Sequence, residues 1–145
     1  VIAPAGKGSR WDVTVTDVTA DGTSQVIADN QFNEVRDGWQ YVVGRMSSAL
    51  NTNLKASDVG KALSTSYVMP VFIGNDGKIY DIWNDNNAAV VLNDDWIGQD
   101  NIIAQVGVKS SGRFAIQVPT KAVLGGHLAV RNEVNQEITY FGDAL

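Results

Sequence analysis

Trp11-Asp12-Val13-Thr14-Val15-Thr16 alternates apolar and polar side chains without a break. A strand turns successive side chains to opposite faces, so this spacing suits an extended segment with one face buried and the other wet. Trp11, Val13 and Val15 are expected to point inward, and Asp12, Thr14 and Thr16 outward. Trp39-Gln40-Tyr41-Val42-Val43-Gly44-Arg45-Met46 has the aromatic and β-branched content of a central strand. Its spacing sets Trp39, Tyr41 and Val43 on one side and Gln40 and Val42 on the other, and Gly38 ahead of it suits a turn.

Further strands follow the same reasoning. Tyr67–Ile73 and Lys78–Trp83 flank Gly74-Asn75-Asp76-Gly77, and Asp-Gly between two such runs signals a hairpin. Pro70 has no N–H to donate, which places its strand at an edge or on a bulge. Ile102–Val108 and Arg113–Val118 read as two strands about Lys109-Ser110-Ser111-Gly112, with Phe114, Ile116 and Val118 at period two and Pro119 as the stop. Gly125-Gly126 introduces His127–Arg131, and Glu137–Phe141 is the last extended run. Gln25–Asn33 reads as a short strand or an irregular loop that carries Val26, Ile27 and Phe32 inward; Asn51–Ser66 reads as a loop with at most one or two helical turns. About eight or nine strands with almost no helical period form the pattern of an all-β, antiparallel β-sandwich. Residues 1–8 are expected to be a flexible lead-in and 9–145 a single domain.

Composition narrows the function classes. A chain of 145 residues buries roughly 70% of its unfolded surface, enough for a core without staples. Net charge is −5 and no run of Lys or Arg stands out, so neither nucleic acid nor an anionic membrane surface is an expected partner. No apolar run approaches the ~20 residues that span a bilayer, so direct membrane insertion of this chain is not expected. The absence of Cys removes disulfides and thiolate metal sites. The chain starts at Val1 without an initiator Met, which leads us to expect an upstream segment that has been removed; a lost export signal and a cleaved tag both fit.

Candidate chemistry is sparse. Gly6-Lys7-Gly8-Ser9 lacks the Lys followed directly by Ser or Thr, and the helix behind it, that a phosphate loop requires. His127 is the only imidazole, so any catalytic triad or histidine metal site would have to use it. Asp81, Asp85 and Asn87, or Asn93, Asp94 and Asp95, offer oxygens for calcium but lack the spacing of an EF-hand loop. Asp94-Asp95 beside Trp96 is the best local pair for hydrolase chemistry, yet neighbours on a strand face opposite ways. Trp11 and Trp39 fit the core. Trp83 and Trp96 flank Asn/Asp-rich loops, where an indole beside amides suits a sugar ring. Trp83, Asn84, Asp85, Asn87, Asp95 and Trp96 are therefore the candidate ligand-binding residues. No catalytic residue, metal or cofactor is expected.

Several segments occur together in a recognisable order: Trp11-Asp12-Val13-Thr14-Val15, Val26-Ile27-Ala28-Asp29-Asn30-Gln31-Phe32-Asn33, Gly38-Trp39-Gln40-Tyr41-Val42-Val43, Asp76-Gly77-Lys78-Ile79-Tyr80 and Ser111-Gly112-Arg113-Phe114-Ala115-Ile116-Gln117-Val118-Pro119. On these, from about Gly8 to Phe141, the chain resembles the uncharacterised immunoglobulin-like domain of Gram-positive, especially actinobacterial, secreted proteins and lipoproteins, a family that includes a mycobacterial secreted immunogen. Glu34-Val35-Arg36-Asp37 stands where that family has a proline-containing loop, and Asn51–Ser66 is long for it. The resemblance implies an exported, non-enzymatic, immunoglobulin-like sandwich, often held by an N-terminal lipid that would lie upstream of Val1. The partner expected of such a domain is an envelope protein or a polysaccharide. A carbohydrate-binding module using an exposed Trp and a small extracellular hydrolase are the alternatives.

Overall fold

The computed structural model describes residues 2–4, 11–50, 68–82, 109–133 and 136–145. Strands β1 (Ile2–Pro4), β2 (Trp11–Thr19), β3 (Trp39–Leu50) and β6 (Ser110–Pro119) form one sheet in the order β1-β2-β3-β6. Strands β4 (Val68–Ile73), β5 (Ile79–Asp81), β7 (His127–Asn132) and β8 (Ile138–Phe141) form the other, in the order β5-β4-β7-β8. Every pairing is antiparallel. Two short helices, α1 (Thr23–Asp29) and α2 (Thr120–Val123), complete the described elements. Among these residues no helix is long and apolar enough to cross a membrane.

The core lies between the sheets. Trp11 and Val13 of β2, Val42 and Met46 of β3, and Phe114, Ile116 and Val118 of β6 meet Val68, Phe72, Leu128, Val130 and Phe141 from the second sheet. The alternation in β2 and β6 thus has the predicted sense, with Val15 also packed against this core. Across the first sheet, Tyr41, Val43 and Ala115 are buried on the opposite face beneath Val26 of α1, with Val35 alongside. Helix α1 covers that part of the face, whereas Thr16 and Ser111 farther along it are exposed.

Several local expectations change. Gln25–Asn33 is neither strand nor simple loop: its first five residues belong to α1, which buries Val26 alone and leaves Ile27 and Phe32 exposed. Lys109–Gly112 is not a turn, because Ser110, Ser111 and Gly112 pair with Ser48, Ser47 and Met46. Trp39 does not share the environment of Tyr41 and Val43; at the sheet's end it packs on the inter-sheet core. Pro70 lies on an interior strand, paired with Val130 of β7. Its nitrogen is tolerated there for a local reason. The Gly74 N–H donates to Lys78, so the alternation of strand N–H groups turns Pro70 to the same side, past the last β5 pairing at Val71–Asp81. The expected strand over 102–108 and the loop over 51–66 lie outside the described residues.

Candidate functional site

At one end of the sandwich, three segments converge on an open cleft of about 1100 Å³. The turn ahead of β3 contributes Arg36 and Asp37, and β3 itself contributes Trp39; the β4–β5 hairpin contributes Asp76, Lys78 and Tyr80; α2 contributes Lys121. Each segment is held by the next. The Thr120 N–H donates to the Gly38 carbonyl, and the Asn75 N–H donates to Ala122, at 2.9 and 3.0 Å. The Asn75 side-chain amide donates to the carbonyls of Lys121 and Leu124, each at 2.9 Å. The cleft walls are therefore fixed to one another by main-chain geometry.

The first wall is positioned from below. Gln117, only 3% exposed, accepts the Arg36 N–H at 3.0 Å and donates to the Tyr41 hydroxyl at 3.0 Å. Tyr41 in turn donates to the Glu34 carbonyl, and Asn33 donates to Val26. These buried polar groups tie residues 33–36 to β3, β6 and α1, which suits the rule that a buried donor must find a partner. Burial raises the Tyr41 pKa above its ordinary value, with the Gln117 hydrogen bond acting in the opposite direction.

The floor is aromatic. Trp39 and Tyr80 meet edge to face, with ring centroids 5.9 Å apart and planes at 84°. The Arg36 guanidinium stands 4.7 Å from the Trp39 ring centroid, within cation–π range. The Tyr80 hydroxyl donates to Asp76 Oδ2 at 2.8 Å, while Asp76 Oδ1 accepts the Lys78 N–H at 3.1 Å. Desolvation, reinforced by the Asp76 carboxylate, pushes the Tyr80 pKa up to about 12. The Tyr80 hydrogen bond, chiefly, holds the Asp76 carboxyl below its ordinary value. Neither group changes protonation near neutral pH, so this pair is suited to holding a geometry rather than to moving a proton.

Arg113 is paired with Asp29 at 3.2 Å, and Arg131 with Asp81 at 3.0 Å and Glu133 at 2.7 Å. Lys78 and Lys121 make no ion pair among the described residues. His127, at the start of β7, lies edge-on to Tyr140 with centroids 5.7 Å apart, and its buried Nδ1 has no hydrogen-bond partner among the described residues. Among the described residues, no group of three or more His, Asp or Glu side chains could hold a metal ion. Trp83, Asn84, Asp85, Asn87, Asp95 and Trp96, the candidates from sequence, lie outside the described residues, as does Asp94. Asp81, one of the oxygen-bearing residues considered for calcium, accepts a hydrogen bond from Arg131 at 3.0 Å. No family model, curated protein or solved structure matches the chain.

Proposed function

We propose that the chain is a non-enzymatic, immunoglobulin-like binding domain that works at the cell envelope after export, as the family resemblance implies, and that its binding surface is the cleft floored by Trp39 and Tyr80. The strand order supports the immunoglobulin-like reading: β3 pairs with β6 in one sheet while β4 pairs with β7 in the other, an interlocked arrangement of Greek-key type. Fold alone assigns no role, so the proposal rests on the site.

One observation carries the binding reading. The Asp76 carboxylate and the Tyr80 hydroxyl are consumed by each other, with Tyr80 held near 12 and Asp76 depressed, in a cleft whose walls are already hydrogen-bonded into place. A preorganised, aromatic-floored cleft gains affinity because little ordering remains to be done when a ligand arrives.

The test is a titration of the domain with a panel of neutral and acidic envelope polysaccharides, read by tryptophan emission. At least one polysaccharide is expected to give a saturable change that is lost in Trp39→Phe. A change that survives Trp39→Phe but disappears in Trp83→Phe or Trp96→Phe would move the site to those residues, and a panel without any saturable change would remove the reading.

A further inference from the structure

An aspartate followed by glycine is prone to ring closure, because glycine has no Cβ to hinder attack by its own nitrogen. The chain holds three such pairs, Asp21-Gly22, Asp37-Gly38 and Asp76-Gly77. The fold restrains two of them. The Gly22 N–H donates to the Tyr41 carbonyl at 2.8 Å, and Asp21 Oδ1 accepts the Thr23 N–H at 3.1 Å. The Gly77 N–H donates to the Gly74 carbonyl at 2.9 Å, and both Asp76 oxygens accept hydrogen bonds, from Tyr80 and Lys78. Asp37-Gly38 differs on both counts. Residues 36–39 form a turn closed by the Trp39 N–H on the Arg36 carbonyl at 2.9 Å, and a φ of +75° at Gly38 with no positive φ at Asp37 makes it type II. Both central residues are exposed, and a Cβ on Gly38 would meet nothing within 4 Å. Neither the Gly38 N–H nor the Asp37 carboxylate has a hydrogen-bond or ion-pair partner among the described residues.

We propose that Asp37-Gly38 is a modification site, at which the folded protein spontaneously converts aspartate to isoaspartate ahead of the other two pairs. Ring closure requires the middle peptide plane of the turn to rotate until the Gly38 nitrogen meets Asp37 Cγ. No hydrogen bond of that peptide opposes the rotation, and Gly38 accepts either sign of φ. The nitrogen then bonds to Cγ and gives up its proton as one carboxyl oxygen leaves as water, which forms a succinimide. Water reopens the ring. Addition at the former side-chain carbonyl restores Asp37, whereas addition at the main-chain carbonyl leaves the chain running through Cγ, one carbon longer, with a carboxylate on Cα. Water is the only other reactant, and the mass returns to that of the parent. The turn is anchored on both sides, by Gln117 on the Arg36 N–H and by the Thr120 N–H on the Gly38 carbonyl, so the added carbon falls between fixed points of the cleft wall. The reaction involves no ligand and is independent of whether the cleft binds one.

The test incubates the folded chain in heavy-oxygen water and digests it with trypsin in ordinary water, since each passage through the ring installs one heavy oxygen. Tryptic peptides 11–36, 37–45 and 62–78 hold one Asp-Gly pair each. Breaking the hydrogen bonds that restrain the other two pairs adds to their barriers, so peptide 37–45 is expected to label roughly tenfold faster than either. It should also split into two chromatographic forms of equal mass. In concentrated urea the three peptides are expected to label at similar rates, because the fold imposes the ranking. Asp37→Glu, a change at an exposed position, keeps the fold and removes the label from 37–45, because a six-membered ring closes far more slowly. Equal labelling of the three peptides in the folded chain, or labelling of 11–36 or 62–78 ahead of 37–45, would overturn the inference. So would a folded 37–45 that stays unlabelled while the urea sample labels fully, or one that labels as fast in Asp37→Glu.

Discussion

Trp39 and Tyr80, the first residue of β3 and the middle residue of β5, touch edge to face across the two sheets with centroids 5.9 Å apart. This contact closes one end of the sandwich and forms the cleft floor. Replacing Trp39 by Ala removes the contact and the surface beneath Arg36. The expected loss is about 2–3 kcal/mol, less than for a fully buried Trp because Trp39 is half-buried. Urea denaturation measures it; a loss below about 0.5 kcal/mol would mean the ring is not a structural contact.

Gln117 is the second support. Gln117→Leu keeps the side chain's size but leaves the Arg36 N–H without its acceptor and takes a donor from Tyr41. Arg36 is exposed and its N–H can turn to water, so the expected cost is that of the lost hydrogen bonds, about 1 kcal/mol. The local signature is sharper than the global one. Amide exchange at Arg36 is expected to be slow in the parent and fast in the variant, with β6 amides beyond Gln117 little changed.

Alkaline pH should weaken the fold in a definite window. In the unfolded chain Tyr80 titrates at its ordinary 10.0, and in the folded chain at about 12. Between those values the folded state keeps a proton that the unfolded state has lost, so stability falls as pH rises. The contribution is complete below pH 10.0 and is lost as pH passes through about 12. Denaturation midpoints of Tyr80→Phe should fall less steeply than those of the parent over this range; parallel slopes would contradict the assignment.

Gly126 tests the packing behind β7. A Cβ there would lie 2.5 Å from two ring atoms of Phe72 and 2.9 Å from the Ile73 carbonyl oxygen, and a backbone atom cannot swing aside. Gly126→Ala is expected to cost about 3 kcal/mol by overpacking. Gly77→Ala is the comparison. Its φ of +76° strains an L residue, but nothing lies within 4 Å, so the cost is about 1 kcal/mol. Thermal unfolding of the two variants should rank them in that order.

The sandwich was legible where burial is one-sided. Trp11, Val13, Phe114, Ile116 and Val118 face a single core, so period two reports their strands faithfully. Helix α1 escaped because seven residues with one buried side chain and no side-chain cap carry no helical period. Ser110–Gly112 has the composition of a turn, yet pairing with β3 overrides local preference. Phe32 was expected inside on hydrophobicity alone and is 76% exposed, because nothing in the sequence reveals which way an irregular segment faces.

The cleft was harder to see. Asp76-Gly77 marks its hairpin, and Trp39, read from the sequence as core, packs on the inter-sheet core and also lines the cleft. Arg36, Lys78 and Lys121 are far apart in the chain, so no basic run announced them. Only the return of β6 beside β3, followed by α2 against the hairpin, brings the three together.

The most direct measurement of the central claim is amide hydrogen exchange over the whole domain, with and without the polysaccharide that alters its tryptophan emission. A cleft that binds and does not turn over predicts added protection concentrated at 36–39, 76–80 and 119–121, with the polysaccharide recovered intact. Protection confined to other segments, or shortened polysaccharide chains after incubation, would contradict it.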